Sequence, residues 1–176
     1  MHRRAFLILT SLLLMAPVAV AAQAEPVVVY VIRHAERADD GPNSGFMGDA
    51  SDPPLSESGR ARARLIAEML SDAGVTQVHS TDYVRTRSTG EPTAEAAGLE
   101  IEAYDASDLP AFAARLRTLP GRHLVLGHSN TTPQLVEALG GDPGTAIEAM
   151  EYDRFYIVTI ASGTVSTVLL RFGEPF

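Results

Sequence analysis

The chain of 176 residues contains neither cysteine nor lysine. The absence of cysteine excludes disulfide bonds and a lipid-modified cysteine anchor. All fourteen cationic residues are therefore arginines. A guanidinium can bind an oxyanion through two parallel N–H donors, whereas an ammonium acts as a point charge. The sequence also has no H-E-x-x-H motif or comparable ligand spacing, so we expect no metal site.

The excess of acidic residues limits the classes of partner. The formal net charge is −8, and it becomes −10 for residues 25–176, which exclude Arg3 and Arg4. Proteins that bind nucleic acid in general carry a basic patch for the phosphate backbone, so we expect no nucleic-acid partner. Internal repeats and low-complexity segments are absent, which favours a single domain.

The first 24 residues have the pattern of a secretory signal peptide. A basic start at residues 2–4 precedes an apolar run from Phe6 to Val20, and Ala22-Gln23-Ala24 then offers small residues at the two positions that a signal peptidase reads. The alternative is a retained anchor, for which the run is short. We predict cleavage after Ala24, with Ala22 as an alternative, and a periplasmic or secreted domain over residues 25–176 without membrane contact.

Short apolar runs alternate with helical patterns after this segment. Val27–Ile32 is an uninterrupted run of apolar or aromatic residues, β-branched except at Tyr30, which is typical of a strand buried on both faces. The sequence predicts an α/β fold: a three-layer, mostly parallel sheet with helices on both faces. Two β-rich runs at Tyr152–Ile160 and Thr164–Phe172 add a C-terminal antiparallel hairpin. The other predicted strands cover residues 75–79, 99–104 and 123–127.

Several helix boundaries follow from the residue types. Ser56 is the expected N-cap of the first helix, and Gly74 the expected C-cap. Residues 80–82 supply cap candidates for the second helix, which we expect Gly90 and Pro92 to weaken or kink. The third helix has Asp108 as a cap candidate. Three arginines decorate the first helix, where we expect a solvated face: Arg60, Arg62 and Arg64.

Ionisable side chains follow three of the predicted strands. The first strand ends in Arg33, His34 and Glu36, Arg85 lies one helical turn past the second, and His128 follows the fourth. The carboxyl ends of parallel strands meet at one edge of a sheet, where such folds bind ligands. Two guanidiniums and two imidazoles make a pocket for a dianionic oxyanion such as phosphate. A histidine inside it can be a nucleophile on phosphorus.

Four segments, in order, carry a resemblance to a known family. Arg33-His34-Ala35-Glu36 after a hydrophobic strand resembles the Arg-His-Gly/Ala signature of the histidine phosphatase superfamily, which has the phosphoglycerate mutase-like fold. The further matching segments are Leu55-Ser56-x-x-Gly59-x-x-x-Ala63, Ser80-Thr81-x-x-x-Arg85-Thr86-x-x-Thr89 and Gly127-His128-Ser129-Asn130. The short chain is most similar to the small single-domain members, including secreted ones and phosphohistidine-protein phosphatases.

The resemblance implies a role for each matched residue. His34 would attack phosphorus in line and become a phosphohistidine, while Arg33, Arg85 and His128 would hold the phosphate oxygens. Water would then release phosphate, without a metal or cofactor. The implied substrate is a small phosphorylated compound or a phosphohistidine protein. The alternatives are a phosphoglycerate mutase-like phosphotransferase and a phosphate-binding protein without turnover.

Three further assignments are less direct. We expect Glu36 and Asn130 to help bind the substrate, although Glu36 could be solvated and Asn130 could cap a helix. The family usually needs a general acid, and acid-phosphatase-like members place an aspartate where this chain has Ser129. Mutase-like members use a glutamate after the second arginine segment. In that region Asp105, just past a strand end, is our first choice for the acid, and Glu102 is the second.

Overall fold

The structure is a computed structural model that describes residues 25–41 and 44–175. The predicted signal peptide at residues 1–24 lies outside the described residues. Among the helices that are described, none combines the length and the apolar character needed to cross a membrane.

A six-stranded mixed sheet forms the centre of the described chain. Its strands are β1 (Val27–Arg33), β2 (Gln77–Ser80), β3 (Ile101–Ala103), β4 (Arg122–Gly127), β5 (Arg154–Ala161) and β6 (Thr164–Arg171), and their spatial order is β3-β2-β4-β1-β5-β6. β1, β2, β3 and β4 are parallel, whereas β5 and β6 form an antiparallel hairpin on the β1 edge. The predicted fold class is confirmed.

Helices cover both faces of the sheet. They are α1 (Glu57–Met69), α2 (Val84–Ala97), α3 (Leu109–Thr118) and α4 (Thr131–Ala138). Alternate residues of β1 point to opposite faces: Val29 and Val31 share a buried cluster with Phe112 of α3, and Ile32 shares a second cluster with Ile66 of α1. Burying each such side chain stabilises the fold by about 1.5–3 kcal/mol. β1 is therefore a central strand whose position is fixed from both sides.

Most helix boundaries agree with the prediction. Ser56 caps α1 by accepting a hydrogen bond from the Gly59 amide at 3.0 Å, and Asp108 caps α3 through the Ala111 amide at 3.1 Å. Gly98 ends α2 in the left-handed conformation, at φ +66°. The predicted C-cap of α1 is wrong, because that helix ends at Met69, before Gly74.

The second helix differs from the prediction at its start and in its interior. Its N-cap is Tyr83, which makes no side-chain cap bond, and the Val84 amide instead donates to both carboxylate oxygens of Asp52 at 3.1 Å. The helix is continuous through Pro92. A Cβ at Gly90 would lie 3.1 Å from the Leu126 side chain, so the helix packs closely on β4. This packing outweighs the local preference for a break.

The prediction of a solvated arginine face on α1 is wrong for Arg62. Its guanidinium is buried and binds the Glu36 carboxylate, with Nε 2.9 Å from Oε1 and Nη2 2.8 Å from the same oxygen. The remaining donors reach the backbone carbonyls of Phe172 at 3.0 Å and Glu174 at 2.8 Å. Arg62 therefore joins the turn after β1 to the C-terminal segment.

Candidate active site

His34 lies at the carboxyl end of β1 with its tautomer fixed by the backbone. Its Nδ1 is 2.7 Å from the carbonyl oxygen of Ala35, which can only accept, so Nδ1 carries the proton and Nε2 presents a lone pair. Burial and the positive charges of Arg33, His128 and Arg85 lower the pKa of His34 to about 3, although the Ala35 bond opposes the shift. His34 is therefore a neutral imidazole at neutral pH, with its one proton on Nδ1.

His128 lies beside His34 because β4 pairs with β1. The two ring centroids are 5.4 Å apart, and the His34 amide continues the parallel ladder by donating to the Gly127 carbonyl at 2.8 Å. The Nε2 atom of His128 is 3.0 Å from Thr81 Oγ1, just past β2. Burial, then the charges of Arg85 and Arg33, lowers the pKa of His128 to about 4. Three neighbouring strand ends thus meet at this point.

The guanidinium of Arg33 is held by the loop that precedes β5. Its Nη atoms donate to the carbonyls of Glu148, Ala149 and Glu151 at 2.9 Å and to Tyr152 Oη at 3.2 Å. These contacts use four of its five N–H donors. The fifth, Nε–H, is buried and has no hydrogen-bond partner among the described residues. Arg33 is therefore fixed rigidly with a single donor available to a ligand.

The guanidinium of Arg85 is held by its neighbours, as that of Arg33 is. Its Nη1 is 3.2 Å from Asp52 Oδ1, and its Cζ lies 4.2 Å from the ring centroid of Tyr83. Its Nε is also buried without a partner within the described part of the chain. An unpaired buried donor costs about 1–3 kcal/mol. Two such donors on guanidiniums, next to two imidazoles, are the arrangement expected of an oxyanion pocket.

The turn after His34 is braced by the helix that carries Arg85. Thr89 Oγ1 accepts from the Ala35 amide at 3.0 Å and donates to the Arg85 carbonyl at 2.8 Å. The Gly59 position meets the Glu36 carbonyl so closely that a Cβ there would overlap it. Thr89 and Gly59 both belong to the segments matched in the sequence. Their contacts show how these segments support the end of β1.

The structure brings together four of the predicted site residues and places Glu36 apart from them. The four residues that lie together are Arg33, His34, Arg85 and His128. The Glu36 carboxylate is instead occupied by Arg62 and lines a different cleft, beside α1 and the C-terminal segment. This placement gives no support to a substrate-binding role. Asn130 is exposed, and its role remains a prediction, as does that of every residue in the pocket.

Asp105 lines a neighbouring cleft, and its role as the general acid stays a prediction. Its carboxylate accepts hydrogen bonds from the Ser107 hydroxyl at 2.7 Å and from the Ser107 amide at 2.8 Å. These two bonds lower the pKa of Asp105 below its usual value, whereas a general acid needs a raised pKa. The alternative acid, Glu102, is bound by Arg115 at 2.8 Å.

Sequence reasoning missed several residues around the pocket. Tyr152 lies with its ring centroid 5.9 Å from that of His34, and its hydroxyl donates to Asp40 at 2.6 Å. Tyr83 contacts His128 edge to face at 5.1 Å. Thr81 and Tyr83 lie within a matched segment and could have been noticed there, whereas no sequence signal connects Tyr152 to a strand more than 100 residues away.

Comparison with known proteins agrees with this geometry. A family model for the histidine phosphatase superfamily (branch 1) matches residues 29–106, which include β1 with His34 and the helix with Arg85. This match and the curated relatives described next support a place in this superfamily. His128 lies beyond the matched range, and its position next to His34 comes from the fold.

Curated relatives match the chain over part of their length. The probable phosphoglycerate mutase GpmB of Serratia proteamaculans is 38% identical over 73 residues, which cover 42% of the chain and 33% of that relative. The protein of the same name from Citrobacter koseri is 33% identical over 103 residues, 58% of the chain and 43% of the relative. The chain thus spans a third to less than half of these relatives.

Solved structures with similar folds cover most of the described domain. The protein histidine phosphatase SixA complexed with tungstate has a TM-score of 0.65 at 22% identity, over 82% of this chain and 96% of that one. A putative alpha-ribazole-5'-P phosphatase from Escherichia coli has a TM-score of 0.67 at 14% identity, over 83% and 97%. The phosphoglycerate mutase of Bacillus anthracis has 0.58 at 16%, over 86% and 95%. At these identities the likeness establishes the fold.

Proposed function

We propose that this chain is an exported, metal-independent phosphatase of the histidine phosphatase superfamily that hydrolyses a phosphomonoester or a phosphohistidine. The observation that carries the proposal is the state of His34: its Nδ1 is bound to the Ala35 carbonyl, and its Nε2 is free of a proton. A nucleophile with a fixed lone pair beside two guanidiniums is the minimum that this chemistry requires.

The proposed reaction has two displacements at phosphorus. The Nε2 lone pair of His34 attacks phosphorus in line, the bond from phosphorus to the leaving oxygen or nitrogen breaks, and the leaving group takes a proton from solvent. A water oxygen then attacks the phosphorus atom carried by Nε2 and gives a proton to solvent. The phosphorus–nitrogen bond breaks, its electron pair returns to Nε2, and inorganic phosphate leaves. The Nδ1–H bond to the Ala35 carbonyl stabilises the positive ring while Nε2 holds the phosphoryl group.

The two unpaired Nε–H donors support the role of the arginines. The transferring phosphoryl group spreads charge over three oxygens, and most of the catalysis comes from donors that are already in place. Arg33 cannot turn away, because four of its donors are held by the loop before β5. His128, 5.4 Å from His34, is placed for a third oxygen.

The charges around the pocket favour a phosphatase over a mutase. A phosphoglycerate mutase must also bind the carboxylate and the second phosphate position of its substrate, which needs further free cations. Arg37 is the first arginine after His34 in the sequence. Its Nε lies 3.1 Å from carboxylate oxygens of both Asp39 and Asp40. Its charge is therefore already neutralised. Export away from glycolytic intermediates would also argue against a mutase.

Export rests on the pattern of residues 1–24. The proposal is that a signal peptidase cuts after Ala24 and that the mature domain works in the periplasm or outside the cell. Expression of the full chain in a bacterial host, followed by fractionation and mass spectrometry, tests this. We expect a periplasmic product that begins at Glu25, and an intact cytoplasmic chain that begins at Met1 would contradict it.

The phosphatase proposal is tested with residues 25–176 on an aryl phosphate and on a phosphohistidine peptide, with a chelator present. We expect turnover in the chelator and none for His34→Asn. Replacing Arg85 by Gln should lower kcat/KM by roughly a hundredfold, since each lost charged hydrogen bond costs about 1.5–3 kcal/mol.

Arg87→Gln is the matched control, because Arg87 lies on the same helix with a side chain that is 40% exposed. It should retain the activity of the unmodified chain. Phosphate binding without hydrolysis of any substrate would instead identify a binding protein. Activity that the chelator abolishes would show a metal-dependent enzyme and contradict the proposal.

A further inference from the structure

A cleft of 430 Å³ adjoins the proposed phosphate pocket. Two of its walls, Thr81 and Tyr83, are also contacts of His128: Thr81 Oγ1 is 3.0 Å from Nε2, and the Tyr83 ring meets the imidazole at 5.1 Å. The volume lies in the range of small-molecule sites. A group attached to a phosphate held by His128 therefore has this cleft as its immediate surroundings.

The walls of the cleft have a definite chemical character. Tyr83 is 44% exposed and offers part of an aromatic ring. Tyr104 lines the cleft as well, and its hydroxyl is held by the Leu126 carbonyl at 3.1 Å. Ser107 supplies a hydroxyl at the outer edge. A hydroxylated carbon skeleton would find both apolar contact and hydrogen-bond partners here.

All the charged residues that line the cleft are negative. None of the residues that line it is an arginine, lysine or histidine, and two are aspartates, Asp82 and Asp105. Asp105 is kept ionised by its hydrogen bonds from Ser107. The closest cation to Asp82 is Arg87, at the 4.0 Å limit of an ion pair. A second negative group on a substrate would meet these carboxylates without a counter-charge.

Negatively charged carboxylates also lie on the other side of the phosphate pocket. Asp52 lies 3.2 Å from Arg85, and Asp40 accepts from Tyr152. The arrangement thus has two guanidiniums at its centre for one phosphoryl group and carboxylates around them. This pattern accepts a single phosphate and disfavours further anionic groups on the same molecule.

From this arrangement we propose that the cleft bounded by Thr81, Tyr83 and Asp105 is the leaving-group site, and that it selects small neutral or cationic alcohols over anionic ones. The inference rests on the proposed phosphatase function and names the substrate class of that site. Asp82 and Asp105 act in it as specificity residues, through charge rather than proton transfer.

Three alkyl phosphates with leaving groups of different charge test the proposal. They are glycerol 1-phosphate, phosphoethanolamine and 3-phosphoglycerate, each compared by kcat/KM for phosphate release at pH 7.5. We expect the neutral and cationic esters to exceed the anionic ester by at least about tenfold, from two unit charges at short range in a partly solvated site. The ratio should shrink at high salt, since the charges are exposed.

Variants without the carboxylates separate charge from acid catalysis. Asp105→Asn and Asp82→Asn should each raise kcat/KM for 3-phosphoglycerate relative to that for glycerol 1-phosphate by roughly three- to tenfold. Asp72→Asn is the control, because it removes the same charge from an exposed position that precedes the amino end of β2, at the opposite edge of the sheet from the pocket.

Each outcome decides the inference. Equal kcat/KM for the three esters, or variants that leave the ratio unchanged, would overturn it while the phosphatase function stands. Loss of glycerol 1-phosphate hydrolysis in Asp105→Asn would make Asp105 the general acid and also overturn it. If the chain hydrolyses none of these esters, no aryl phosphate and no phosphohistidine peptide, the proposed function itself is refuted.

Discussion

The buried pair of Arg62 and Glu36 gives a sharp test of which matched residues serve the fold and which serve the site. Arg62→Met keeps the length of the side chain but leaves the Glu36 carboxylate buried without a cation. Breaking a buried pair in this way costs about 3–5 kcal/mol. The carbonyls of Phe172 and Glu174 also lose their donors, at about 1 kcal/mol each. The total of about 5–7 kcal/mol should lower the melting temperature by roughly 10–28 °C.

Urea unfolding and aryl phosphate turnover should respond differently to this change. The free energy of unfolding should fall as calculated, while kcat/KM of the folded variant at 20 °C stays within roughly threefold, less than 1 kcal/mol of the activation barrier. Glu36→Gln combined with Arg62→Met should be more stable than Arg62→Met alone, since no charge is then buried. Arg64→Met, on the exposed face of the same helix, is the control.

An unchanged stability would refute the reasoning, because the pair would then contribute nothing to the fold. Loss of turnover in a variant that is still folded would refute it as well. That result would support the substrate-binding role of Glu36 that the sequence predicted.

Three further predictions follow from particular contacts. Gly59→Ala should lower the free energy of unfolding by about 1–3 kcal/mol in urea titrations, as overpacking does, because its Cβ overlaps the Glu36 carbonyl; a neutral result would contradict that close approach. Burial and the charge of His123 lower the pKa of His79 to about 4, so the unfolded chain binds more protons between pH 6.5 and 4. The free energy of unfolding should therefore fall by about 2 kcal/mol per such histidine from pH 7 to pH 5, less steeply in His79→Gln; equal slopes would exclude His79 as a source. Tyr152→Phe should reduce kcat/KM by roughly ten- to a hundredfold, since Arg33 loses a hydrogen bond worth about 1.5–3 kcal/mol; unchanged kinetics would mean that Arg33 is positioned by the carbonyls alone.

The strands and the gathering of His34 with His128 could be predicted from local patterns. The β-branched run before Arg33 and the apolar run before His128 each mark a central strand, and parallel pairing brings their ends together. Ser56 and Asp108 were predictable caps because a cap bond involves residues only three apart.

What the sequence could not show depends on contacts between distant residues. In the sequence Arg62 resembles other arginines of an exposed helix face. It is buried because the C-terminal segment accepts its hydrogen bonds. The partners of Arg33 lie 115 to 119 residues further along the chain. Pro92 stays inside a helix because of packing against the sheet, which overrides local propensity.

The most direct test of the account is to trap the phosphorylated chain. Residues 25–176 are mixed with an aryl phosphate, quenched within milliseconds in alkali, and analysed by mass spectrometry for a phosphoryl group that acid removes. The account predicts such a group on His34, at Nε2, and none in His34→Asn. A phosphoryl group on another residue, or turnover that persists in His34→Asn, would contradict the central claim that His34 is the nucleophile.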